Sequence, residues 1–205
     1  MLTDTSVTHN ITVHGTGSCQ LRFLAVGGGG RGYYSGGGSG YIRYGSTTIE
    51  SGSEGAVIIA DVGDHKEAST ISINGGMYKA ESGKDRKGGD NESNQGGDGY
   101  SGGGDHSGTS EGGSDGSKGD GEDGGMGTGQ DVTKYVFSAW SLSPGKGGKI
   151  HTGCTTACGG GGGGVLVDGK GPESSEYKGQ GFGGGGSGAS SSQFGLQGLI
   201  LLELM

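Results

Sequence analysis

Proline occurs only twice in 205 residues, tryptophan once, and hydrophobic residues make up just 27% of the chain. So little proline excludes collagen, which shares a three-residue period but needs abundant proline and an unbroken glycine repeat. So few apolar side chains exclude a large oily core, and by themselves they point to disorder. No stretch of apolar residues is long enough to cross a bilayer as a helix; the segment from Leu199 to Met205 is short and carries Glu203. The stretch from Met1 to His14 lacks the basic start and apolar middle of a signal peptide. Either a leader has been removed or replaced at Met1, or secretion is not the route. Basic clusters are missing as well. Net charge is −8, and from Asp85 to Asp131 eleven acidic residues face only Arg86, Lys87 and Lys118. Nucleic-acid binding relies on Lys and Arg neutralising phosphates, so no nucleic-acid partner is expected.

The chemistry of catalysis is equally thin. Five histidines are scattered, and no nucleophile elbow or paired-carboxylate arrangement can be picked out, so no catalytic residue is assigned. Glycine strings of the GxGxxG type arise by chance among 57 glycines, and none is followed by the lysine and helix of a phosphate-binding loop, so no cofactor site is assigned. The acidic triplets around Asp115, Asp120 and Asp123 hint at weak surface calcium, but they fit neither an EF-hand nor a nine-residue calcium repeat. A solvated acidic face is the simpler account. The three cysteines leave one over: Cys154 and Cys158 can close a small disulfide loop, with Cys19 free. His151 lies three residues before Cys154, yet a zinc site lacks a fourth ligand, so no metal site is assigned. Two sequons, Asn10-Ile11-Thr12 and Asn91-Glu92-Ser93, are candidates for N-glycosylation. Asn91 is the better placed, because Asn10 starts a strand where access can be blocked.

What the chain has in quantity is glycine, against roughly 7% in an average protein. Between the glycine segments lie short β-branched and aromatic runs of period two, the mark of half-buried strands: ITV at 11–13, LRFLAV at 21–26, YIRY at 41–44, AVIIADV at 56–62, STISI at 69–73, MYKA at 77–80, VTKYVFSAWSL at 132–142, VLV at 165–167 and GLILLEL at 198–204. No amphipathic helical period accompanies them. These runs predict a single all-β domain over 1–205, an antiparallel sandwich with essentially no α-helix. Its strands fall at about 11–26, 41–80, 132–142, 165–167 and 198–204, and its glycine-rich insertions at about 27–40, 84–131 and 143–195.

The insertion from Asp85 to Asp131 holds 18 glycines and two sizeable apolar residues, Tyr100 and Met126. Its glycines recur in broken triplets: 96, 99, 102 and 108, then 113, 116 and 119, then 121, 124 and 127. Three residues per turn is the polyproline II period, and glycine at every third position lets backbones approach closely. Such helices bond sideways to neighbours, because they have no internal hydrogen bonds. Left as flexible Gly/Ser linkers, these segments need no explanation. Ordered from end to end they need a bundle of short, turn-linked helices gathered at one end of the sandwich. That is the expectation.

The order of motifs resembles a known family. LAVGGGG, GGGSGYI, GGDGYSGGG, GDGEDGG, CGGGGGGVLVDGKGP, GQGFGGGG and a terminal GLILLEL are similar in layout to secreted glycine-rich animal proteins. They also resemble the glycine-rich extracellular domain of the anaplastic lymphoma kinase and leukocyte tyrosine kinase receptors. The resemblance runs over nearly the whole chain. It implies a tumour-necrosis-factor-like, jelly-roll sandwich whose inserted glycine segments form a polyglycine II bundle. The kinase, the membrane span and the cysteine-rich tail of the receptors have no counterpart here, so receptor signalling does not carry over. The function this implies is that of an extracellular, non-enzymatic structural or adhesive protein that self-associates into a filament or matrix. The alternative is an extracellular recognition module, either a receptor-like ligand-binding domain or a phage-type adhesin tip, that binds an extracellular protein or glycan. Interfaces are expected at Leu199–Leu204, Tyr33, Tyr34 and Trp140, although the near-continuous apolar run of GLILLEL equally fits a central core strand.

Overall fold

A computed structural model describes residues 1–52, 54–85, 99–104, 113–115, 126–129, 131–150, 158–172, 176–189 and 193–205. Among these there is no α-helix. In order the strands are β1 (His9–Val13), β2 (Gly17–Val26), β3 (Ile42–Ser51), β4 (Ala56–Asp61), β5 (Ser69–Ile73), β6 (Gly76–Ala80), β7 (Leu142–Pro144), β8 (Val165–Val167) and β9 (Leu199–Leu204), with one 3-10 turn at Val132–Lys134. All pairings between these strands are antiparallel. One sheet has the order β1-β4-β5-β6, a second β3-β2-β9, and β7 pairs with β8.

Alternation explains how the sheets meet. Leu21, Phe23 and Ala25 of β2, Ile49 of β3 and Ile200 of β9 face Ile58, Ala60, Ile71, Ile73 and Ala80 of the four-stranded sheet, and all are buried in one core. Each large side chain taken fully from water contributes about 1.5–3 kcal/mol. Gly45, the register partner of Phe23, makes room for its ring; a Cβ there would lie 2.6 Å from Phe23 Cζ.

On β2 and β9 the opposite face of the three-stranded sheet is buried too. Leu24, Val26, Leu199 and Leu201 pack against Tyr100, Val132, Phe137, Leu142, Val165, Val167 and Phe182. Burial on both faces accounts for the near-continuous apolar run of β9. That terminal segment is therefore a core strand, and Leu2 exchanges two backbone hydrogen bonds with Ile200 on it (2.8 and 3.1 Å).

Two predicted strands need correction. The run 132–142 is not a strand: it opens with the 3-10 turn and is irregular until Leu142. Asp131 caps that turn, its Oδ1 accepting from Thr133 N (2.9 Å) and Thr133 Oγ1 (2.7 Å). Val132, Phe137 and Leu142 then reach the core at intervals of five, which no strand of period two can do. Conversely, the 41–44 run continues to Ser51, because its polar second half, GSTTIES, pairs residue for residue with β2.

The glycine segments leave the same end of the sheets, where Val26 is register partner to both Ile42 and Leu199. Gly27–Gly30, Ser35–Gly40, Gly159–Gly164 and Gly181–Ala189 are all buried. Their hydrogen bonds run sideways with a threefold period. Gly36 and Ser39 donate to Gly104 and Ser101 (2.9 Å each), Gly37 and Gly40 to Gly186 and Gly183 (2.9 and 2.8 Å), and Gly38 and Tyr41 to Lys84 and Glu81 (3.0 and 2.9 Å). Every third residue thus meets the same neighbour, which runs antiparallel. Along the six-glycine run, Gly159 and Gly162 donate to Tyr34 and Gly37 (2.8 and 3.0 Å), while Gly161 and Gly164 donate to Tyr177 and Gln180 (3.2 and 2.7 Å). Here the neighbours run parallel. The backbones lie so close that a Cβ on Gly161 would fall nearer than 3.0 Å to the carbonyl oxygen of Gly185.

Candidate functional site

A cleft lies beside this glycine array. Its rim is the turn Val167-Asp168-Gly169-Lys170, where Asp168 and Gly169 take φ values of 53° and 69°. Val167 and Lys170 exchange backbone bonds of 2.8 and 3.0 Å across it. Asp-Gly with both central residues at positive φ is the type I′ hairpin signature. Asp168 N donates to Ser141 O (2.6 Å) and its Oδ1 accepts from Ser141 N (2.9 Å), which fixes the turn beside Trp140. Phe182 comes from a glycine segment and is held by two bonds with Val165 (2.9 and 2.8 Å). The resulting cleft of about 690 Å³ has apolar walls from Trp140, Val167, Pro172 and Phe182, with Asp168, Lys170 and Gln197 among them. Gln197 Nε2 donates to Thr3 O (2.8 Å), bringing the N-terminal segment to the rim.

A charged network pins the irregular segment that carries Trp140. Glu203 Oε1 accepts from Ser138 N (2.6 Å) and from Ser138 Oγ, and its Oε2 pairs with Arg22 Nη2 (2.7 Å). Arg22 Nη1 donates to Val136 O (2.9 Å). The two Ser138 donors, and then Arg22, hold the Glu203 carboxyl below the usual carboxylate range. Aromatic rings line the same segment: Tyr44 stacks on Tyr135 at 4.7 Å, and Phe137 lies 6.0 Å from Trp140.

Chemically the cleft offers stacking and hydrogen bonding. Among the described residues no three His, Cys, Asp or Glu side chains converge as metal ligands. Asp115, one of the calcium candidates, spends its Oδ1 on Gly147 N (2.7 Å) and its carbonyl on Ser101 Oγ (3.0 Å), which makes it a tie within the array. Asp120, Asp123, His151, Cys154 and Asn91 lie outside the described residues. Cys158 is buried and disulfide-bonded, and Cys19 is a free, half-buried thiol. Asn10 is exposed in β1. Tyr33, Tyr34 and Trp140 are half-buried. No helix among the described residues is long and apolar enough to cross a membrane.

Of the cleft residues, sequence reasoning singled out Trp140 alone. Asp168-Gly169 between VLV and KGP was the available signal for the rim, as a hairpin turn. Nothing in the order of residues places Thr3, Trp140, Asp168 and Gln197 together. No protein-family model matches the chain, and neither does any curated protein or solved structure.

Proposed function

We propose that the chain is a non-enzymatic, extracellular structural or adhesive protein of the glycine-rich kind its motifs resemble. In this reading the two facing sheets are a tumour-necrosis-factor-like sandwich, and the glycine segments are a polyglycine II bundle mounted on it. The observation that carries it is the sideways bonding of the glycine segments, in which every third residue meets the same neighbour. That is the period of polyproline II helices, and glycine alone permits the approach. A packed array of this kind suits a scaffold that presents surfaces to copies of itself. Negative-stain electron microscopy and sedimentation across a wide concentration range test this. Filaments or a concentration-dependent oligomer are expected, and a particle that stays monomeric throughout counts against assembly.

A second reading is favoured by the cleft. A concave site with aromatic walls and a few polar groups is the form of a ligand pocket, so the chain could instead recognise an extracellular protein or glycan. Trp140 is the sole tryptophan, so its fluorescence reports the cleft directly. Titration with soluble oligosaccharides and peptides that shifts this emission, together with a monomeric particle, would favour recognition over assembly.

A further inference from the structure

The four-stranded sheet buries one face in the core and leaves the other to solvent. On β1 the alternation sets Ile11 and Val13 against the core, while Asn10 and Thr12 are exposed. Their register partners on β4 are Ile59 and Val57, which are 38% and 49% exposed. Residues directly opposite in an antiparallel pair place their Cβ atoms about 4.5–5.5 Å apart. Two apolar side chains therefore stand beside the two functional residues of the sequon Asn10-Ile11-Thr12. β1 is also an end strand of its sheet, with β4 as its partner, and among the described residues no other strand pairs with its second edge, the kind of edge that can pair with another chain. Two neighbouring exposed apolar side chains beside an unpaired strand edge are a combination that soluble proteins shield.

We propose that Asn10 carries an N-linked glycan that lies over Val57 and Ile59 and covers the open edge of β1. This rests on the extracellular reading. The donor is an oligosaccharide linked through pyrophosphate to a lipid. A bond forms between Asn10 Nδ2 and C1 of the first sugar, and the C1–O bond to pyrophosphate breaks. The pyrophosphate leaves with the electron pair and the amide gives up one proton, so nothing is oxidised or reduced. In the folded chain Asn10 is exposed, on the face of β1 turned away from the core. The apolar faces of the first sugar rings would then lie where Ile59 and Val57 now meet water.

The full chain, carried into the secretory pathway of a eukaryotic cell by a heterologous signal sequence, is recovered from both cells and medium. Trypsin releases residues 1–22 as one peptide, because Arg22 is the first basic cleavage point. Mass spectrometry of that peptide is expected to show a glycan that peptide N-glycosidase removes, leaving aspartate at position 10. Bare Asn10 in both fractions overturns the proposal. A glycosylated chain that never leaves the cell supports the site while counting against the extracellular reading. Shielding is tested with Asn10→Gln from the same cells, which should bind more of a hydrophobic-surface dye and self-associate at lower concentration. Adding Val57→Thr and Ile59→Thr should return dye binding to the wild-type level. Equal dye binding with and without the glycan overturns the covering role.

Discussion

The sandwich and the glycine array solve the same problem by opposite means. In the sandwich, side chains fill the space between two sheets, and Leu21, Ile58 and Ile71 are buried to 1% exposure or less. In the array the space is filled by backbone, and the absence of side chains is what brings carbonyl and amide groups of separate segments within 2.6–3.2 Å. One region is vulnerable to the removal of atoms, the other to their addition. A chain with only 27% hydrophobic residues can fold because its few apolar side chains are concentrated in the sheets, while roughly 1 kcal/mol from each of many backbone hydrogen bonds supports the rest.

The sharpest break is to add a side chain to the array. Gly161→Val places carbon against the carbonyl of Gly185, a backbone atom with no rotamer to yield. We expect more than about 3 kcal/mol of destabilisation, read as a collapse of the melting temperature; an unchanged value would mean the six-glycine run is a loose linker. The matching deletion in the sandwich is Ile58→Ala, expected to cost about 2–5 kcal/mol with little change in array contacts, measured by urea unfolding.

Smaller effects separate space from backbone conformation. Gly75 and Gly52 both have open space where a Cβ would go, but Gly75 has φ of 79° in the Asn74-Gly75 turn between β5 and β6. Gly75→Ala should cost about 1–2 kcal/mol through the left-handed backbone alone, whereas Gly52→Ala should stay within about 0.5 kcal/mol of wild type. Equal effects at the two positions would contradict that separation.

The pH dependence tests how the irregular segment is tied to the sheet. Glu203 is held below the usual carboxylate range by Ser138 and then Arg22. A carboxyl depressed in the folded state stabilises fully above its unfolded pKa, and that contribution is lost as pH falls through the depressed folded value. Glu203→Gln should therefore be less stable than wild type at neutral pH, with the gap closing in acid. Urea midpoints at a series of pH values check this, and a gap independent of pH would assign the loss to packing.

Much of the sandwich was legible because its strands obey period two. AVIIADV and STISI became β4 and β5 with buried residues alternating strictly with exposed or half-buried ones. The second half of β3 was hidden because Thr47, Thr48 and Glu50 are polar, and its strand character comes from pairing with β2. VTKYVFSAWSL misled in the other direction. Its aromatic and β-branched residues suit a strand, but the Asp131 cap and the tie from Ser138 to Glu203 hold it as an irregular cover over the second core. Of the triplet glycines, Gly96, Gly108, Gly116, Gly119, Gly121 and Gly124 lie outside the described residues, and nothing in the order of residues says which segments of the array are neighbours, since residues as distant as Gly37 and Gly186 are bonded. The cleft was the least legible part, being assembled from Thr3, Trp140, Asp168, Phe182 and Gln197.

The central claim is that the array is a packed element held by sideways backbone bonds. Native-state amide hydrogen exchange, resolved by NMR, tests it most directly by comparing Gly161–Gly164 with Leu24 and Val26 of β2. The account predicts that Gly161, Gly162, Gly163 and Gly164, which donate to three different segments, exchange only through an opening about as costly as that of β2. Exchange of these four amides at unfolded-chain rates, while β2 stays protected, would contradict it.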